Sequence, residues 1–176
     1  MAETMETKRA GLVGLARRVI TGWALLGGLV LVGVVLVNAY SIVAGVLINK
    51  PFPGDFELTE MGAAIAAFCF LPYCQLRRAN VTADIFTMHA SPRAVALMST
   101  FAAVIATLFA GLLIWRMGAG LLDYQEYKEF TGILQIPIWW AFVPALISLG
   151  LLLCAALITL SEAGAGLLHN LKPEDG

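Results

Sequence analysis

Charged residues divide this chain into four long apolar stretches. No Asp, Glu, Lys or Arg occurs from Val19 to Asn49, Met61 to Leu76, Ala94 to Trp115 or Thr131 to Ser161. A helix needs about 20 apolar residues to cross a hydrocarbon core of roughly 30 Å, and that length separates a membrane span from a buried helix of a soluble domain. The first and fourth stretches exceed it, which predicts tilt or protrusion. The second is short if only uncharged residues count, so its first turn takes in Glu57 and Glu60 at headgroup level. The pattern predicts an all-α integral membrane protein, one membrane domain over 1–176 with four transmembrane helices at about 19–48, 57–76, 92–116 and 137–161. A signal peptide is the rival reading of the first stretch. Its apolar run is about twice the length of a signal h-region and no small-x-small cleavage site ends it, so it reads as a retained span.

The segments between the spans are well punctuated. Pro51-Phe52-Pro53-Gly54 reads as a turn, Asp55 stands where an N-cap belongs, and Glu57 and Glu60 complement the positive end of the helix dipole. A cation or proton site is the functional rival for these three carboxylates. Pro72 falls near the end of the second span and should bend it or loosen its last turn. In the following segment Val81, Ile85 and Met88 recur at helical spacing among polar residues, which predicts a short interfacial helix between helices 2 and 3, within Ala79 to His89. Ser91-Pro92 is a start signal for the third helix. That helix is expected to run well past Trp115, and Pro137 to open the fourth, with Ile133 to Ile136 approaching as extended or loosely turned chain.

Composition agrees with the pattern. Sixty per cent of the residues are apolar and 13% charged, against about 45–50% and about 25% in soluble domains. The net charge of −1 comes with no basic stripe, so no nucleic-acid partner is expected. Charge placement sets the expected orientation. Eight of the basic residues (Lys8, Arg9, Arg17, Arg18, Arg77, Arg78, Arg93 and Lys172) lie in the two termini and the middle loop, and three (Lys50, Arg116 and Lys128) lie in the other loops. The positive-inside rule then puts both the N- and C-termini in the cytoplasm, and in a bacterium the poorer loops in the periplasm. Trp115, Trp139 and Trp140 would form one interfacial belt and Trp23 the opposite one; a protein contact is the other reading of these tryptophans.

Candidate chemistry is sparse. No span carries a charged residue near its middle, where proton relays and ion paths place them. Cys69, Cys74 and Cys154 all lie in apolar spans and read as small packing residues. His89 and His169 fall in a loop and a tail, where they cannot ligate a haem inside a bundle. There is no GxSxG, HExxH, Walker loop or Gly-rich dinucleotide turn, so no enzyme activity, metal or cofactor is expected of this chain. What remains are packing surfaces. Ala102, Ala106 and Ala110 form a small-residue strip, repeated on a smaller scale by Ala24 and Gly28, Ala63 and Ala67, and Ala141 and Ala145.

Three segments carry a resemblance: Phe56-Glu57-Leu58-Thr59-Glu60, Arg77-Arg78-Ala79-Asn80-Val81-Thr82-Ala83-Asp84, and Leu134-Gln135-Ile136-Pro137-Ile138-Trp139-Trp140 with Pro144 after it. In that order, and over nearly the whole chain, they resemble the small permease subunit of tripartite ATP-independent periplasmic (TRAP) transporters, the DctQ-like family. Asn80 stands where the family often has histidine. The resemblance implies a non-catalytic scaffold for a large permease subunit in a bacterial inner membrane, which helps dock a periplasmic substrate-binding protein. It implies sodium-coupled uptake of an organic acid, with the sodium and substrate sites in the large subunit. The chain ends soon after the fourth helix, so it is expected to be separate from that subunit. On this reading the third-to-fourth connection, with Asp123, Tyr124, Glu126, Tyr127, Lys128 and Glu129, is the candidate docking surface; a solvated loop with two interfacial tyrosines is the plain alternative. A small autonomous four-helix exporter, which would need an embedded carboxylate, and a membrane anchor of a redox complex are the rivals from other classes.

Overall fold

The computed structural model describes residues 2–77 and 92–171. They form four helices: α1 (Ala2–Ile48), α2 (Asp55–Leu76), α3 (Pro92–Glu126) and α4 (Trp139–Leu171). The expected interfacial helix, the Ser91 cap and the C-terminal Lys172 lie outside the described residues.

Local chemistry accounts for the helix ends. Asn49 takes the left-handed conformation (φ 56°) and stops α1, a position that suits asparagine, and Pro51 and Pro53 then prevent its resumption. Gly54, at φ 88°, precedes α2 and passes its carbonyl to the Leu58 N–H at 3.1 Å. The cap is therefore this glycine. Asp55, expected to be the cap, is the first helical residue instead, and its carboxylate is taken up by the Ser41 hydroxyl and the adjacent Phe56 N–H. Pro72 is buried within α2, which continues unbroken to Leu76. Pro92 opens α3, where its missing N–H costs no helical bond. The start of α4 is two residues later than proline placement predicts. Pro137 and Ile138 accept the N–H groups of Trp140 and Ala141 in a tight three-residue turn that leads into the helix.

Three of these helices are long and apolar enough to cross a membrane: α1 over Val13–Ile48, α3 over Leu97–Glu126 and α4 over Trp139–Gly164. Helix α2 has 22 residues and so extends about 33 Å. Two acidic residues in its first turn dilute its hydropathy.

The helices stand in a row and not around a square. Helix α2 lies between α1 and α4, α3 packs on the far side of α4, and α1 touches α4 only slightly. Small residues set the spacing. A Cβ on Gly27 would come 2.5 Å from the Cβ of Cys69, and one on Gly62 would overlap the Val34 side chain. Ala66, Ala103, Ala110, Ala145, Ala155 and Ala156 are buried, whereas Leu149 and Ile20 are the largest fully buried apolar side chains. In lipid, helices associate by close approach and not by hydrophobic expulsion, which favours such contacts. The outer faces keep the large side chains: Leu29, Leu36, Val46, Phe101 and Leu108 are all exposed.

Candidate functional site

Both described connections lie at one end of the row, and among the described residues a network of polar side chains ties them to the helices there. Ser41, buried near the end of α1, donates its hydroxyl to Asp55 Oδ2 at 2.5 Å and accepts the Phe52 N–H at 3.1 Å. The other Asp55 oxygen accepts the Phe56 N–H at 2.7 Å. One turn further in, Asn38 Nδ2 donates to Thr59 Oγ1 at 2.6 Å, and Thr59 returns its proton to the Asp55 carbonyl at 2.7 Å. These bonds fasten α1, the 49–54 turn and α2 into one hairpin.

Glu57 extends the fastening to the other connection. Its Oε1 accepts the Ile133 N–H at 2.6 Å and its Oε2 the Leu134 N–H at 2.9 Å. Two successive backbone N–H groups form a concave donor pair that suits an anion, and Glu57 supplies one. The Leu134 side chain covers Gly54 so closely that any Cβ there would collide with it. Spacing had placed Glu57 in the first helical turn as a dipole partner. Its bond to a segment 76 residues away has no local sequence signal.

The α3–α4 connection is also closed on itself. Lys128 (φ 50°) and Gln135 (φ 53°) reverse the chain, and Phe130 and Pro137 form an antiparallel bridge. Thr131 N–H donates to the Ile136 carbonyl, and Ile138 N–H to that of Glu129. Gln135 Nε2 donates to the carbonyls of Thr131 and Gly132, each at 3.1 Å. Of the two forms expected for Ile133 to Ile136, extended or loosely turned, the chain is turned, and more tightly than expected.

Of the candidate docking residues, Asp123, Glu126, Tyr127, Lys128 and Glu129 are exposed together at the tip of α3 and the start of this loop. Tyr124 differs. It is half-buried against α4, its ring 5.0 Å from that of Phe142. Helix α3 does run past Trp115, to Glu126.

The tryptophans divide. Trp139 and Trp140 meet edge to face at 6.2 Å, and Trp140 is exposed. Gly120 and Tyr124 on α3 both meet Phe142, so Trp115 lies about 15 Å deeper than Trp139, not level with it. It points outward, 72% exposed. Trp23 is half-buried, and its indole N–H donates to Ser148 Oγ on α4 at 2.8 Å, an interhelical bond where a headgroup contact was expected. Ser148 in turn donates to the Pro144 carbonyl, with Cys69 Sγ 3.7 Å away.

Ala24 with Gly28 and Ala141 with Ala145 face inward, one of each pair buried and the other half-buried, but the strips on α3 and α2 need a shift of register. Ala110 is buried and Ala106 half-buried, but Ala102 is exposed and its neighbour Ala103 packs instead. On α2, Gly62 and Ala66 are buried and Ala63 and Ala67 exposed. Cys69 packs inward, whereas the free Cys74 and Cys154 face outward. The opposite end of the row carries an exposed pair, Arg17 with Glu162 at 2.7 Å, and a bond from Gln75 to buried Thr159 at 3.2 Å. Between α1, α2 and the start of α4 lies an apolar cavity of about 380 Å³, lined by residues such as Val30, Val34, Met61, Ile136 and Trp140. No charged side chain reaches it, and among the described residues no three His, Cys, Asp or Glu side chains gather as metal ligands would.

Two of the three segments that carry the family resemblance, 56–60 and 134–140, are therefore in direct contact. A family profile described as "Tripartite ATP-independent periplasmic transporters, DctQ component" matches residues 34–164, from the middle of α1 to the end of the apolar part of α4. No curated protein and no solved structure matches the chain. The match spans well over half of the sequence and includes the whole braced end of the helix row, and the chain belongs to the DctQ family, the small permease component of the TRAP transporters.

Proposed function

We propose that this subunit is the fixed scaffold of a TRAP transporter in a bacterial inner membrane. All four helices span, both termini are cytoplasmic, and the braced end faces the periplasm. There the tip of α3 and the following loop receive the periplasmic substrate-binding protein, while the outer helix faces hold the large permease subunit. That larger partner carries the sodium and organic-acid sites. The observation behind this reading is the row itself. Helices side by side leave no enclosed path between them, and the apolar cavity among α1, α2 and α4 offers an anion no cation. A row of this kind can carry broad apolar contact on its faces and polar contact at one end.

The test uses proteoliposomes with the large subunit, this subunit and added substrate-binding protein. Replacing Glu126 and Glu129 together by lysine should raise the half-saturating concentration of substrate-binding protein severalfold, because exposed charges at a rim act mainly on encounter. Assembly with the large subunit should not change. Uptake unaltered at every concentration of substrate-binding protein would end the docking assignment.

A further inference from the structure

We propose that Glu57 is a positioning residue for the docking surface, which deepens, and rests on, the assignment of the α3–α4 connection as that surface. Twelve residues separate the last residue of α3 from the first of α4. Within them the loop folds on itself through the Phe130–Pro137 bridge, Thr131 and Gln135. Such closure fixes the loop's shape but not its placement against the rest of the row. Among the described residues, the hydrogen bonds that leave the loop sideways converge on the Glu57 carboxylate, with the Ile133 and Leu134 amides as the close donors. Leu134, seated over Gly54, adds a close apolar stop.

The chemistry of the anchor is specific. An ionised carboxylate has acceptor oxygens on both sides and no donor, so it can serve two adjacent N–H groups at once. Such charge-assisted bonds are about twice as strong as neutral ones. Glutamine offers one oxygen and turns an amide N–H toward the second backbone donor. Aspartate is a methylene too short to keep both bonds without moving α2. Behind Glu57, Asp55 ties the same helical turn to Ser41 of α1. The loop is thereby held against two helices that are already fastened together, and Tyr127, Lys128 and Glu129 are presented from a fixed base. Glu57 is half-buried beneath the loop, so it acts through the loop and does not itself form the surface.

The experiment compares Glu57→Gln and Glu57→Ala with wild type in the assembled transporter. Deuterium uptake of the 130–137 segment should accelerate by about tenfold or more in Glu57→Ala, with an intermediate value for Glu57→Gln. In proteoliposomes the half-saturating concentration of substrate-binding protein should rise about tenfold in Glu57→Ala, with the maximal rate unchanged. Unchanged deuterium uptake would overturn the anchor. Faster deuterium uptake with an unchanged half-saturating concentration would make Glu57 a local brace without a positioning role. Failure of even Glu57→Gln to assemble would make it a folding residue and equally overturn the inference. The lysine replacements at Glu126 and Glu129 separate the two readings. If they slow uptake and the Glu57 variants do not, only positioning fails; if they do nothing, docking fails.

Discussion

The two ends of the helix row are held by different means. At the loop end, polar side chains bond to backbone or to one another: Ser41 to Asp55 and Asn38 to Thr59 in half-buried surroundings, and Glu57 to two consecutive amides, that of Ile133 exposed and that of Leu134 half-buried. At the other end the clearest cross-link is Arg17 with Glu162, whose side chains are 49% and 41% exposed. A bond whose partners cannot turn to water is expensive to leave unmade, whereas an exposed ion pair exchanges readily with solvent. The difference teaches which bonds are costly to lose. Among the described residues, those beside the two loops resist loss more than the exposed ion pair at the far end, where Gln75 also bonds to buried Thr159.

That contrast can be broken or sharpened by three substitutions. The largest effect is expected for Gly54→Val. A β-branched residue at φ 88° is strained by about 1–2 kcal/mol, and its side chain must also displace Leu134 from the loop. The purified subunit should lose several degrees of thermal midpoint by circular dichroism in detergent, and association with the large subunit should fall. A midpoint equal to wild type would mean that the contacts at the loop end are not the costly ones. Next comes Ser41→Ala. It removes a buried hydroxyl that serves both Asp55 and the Phe52 amide, and should cost about 1–2 kcal/mol in the same measurement. The smallest effect is expected for Arg17→Ala, within about 0.5 kcal/mol, because its ion pair is exposed. A loss matching that of Ser41→Ala would erase the asymmetry between the ends.

Much of this fold is legible in the residues, and the gaps have physical causes. The uncharged runs give the helices, since long apolar stretches admit little else in lipid. The continuation of α3 past Trp115 is legible too, because nothing between Arg116 and Glu126 breaks a helix. Packing register is harder to read. Residues 62, 63, 64, 66 and 67 of α2 are all glycine or alanine, so a spacing of four selects more than one face. The structure selects Gly62 and Ala66 because the Val34 side chain fills the space that a Cβ on Gly62 would take. Trp23 shows a similar limit: one tryptophan near a basic cluster fits an interfacial anchor, and only the fold supplies Ser148 as its partner. At the candidate site, the exposed charges at the tip of α3 could be found from composition. The grip of Glu57 could not, because a carboxylate in a first helical turn already has a sufficient local explanation.

The bond between Trp23 and Ser148 also bears on how the chain is made. The α1–α2 hairpin can close as soon as Thr59, Gly62 and Cys69 have been synthesised, since its contacts are internal to the first half of the chain. The acceptor for the Trp23 indole is encoded 125 residues later. Until Ser148 has been made, that N–H lacks the acceptor it has in the finished fold. Synthesis therefore passes through a stage in which the first hairpin is complete but its third partner is missing. A chain that stops before Ser148 carries a finished first hairpin and a Trp23 indole without its acceptor.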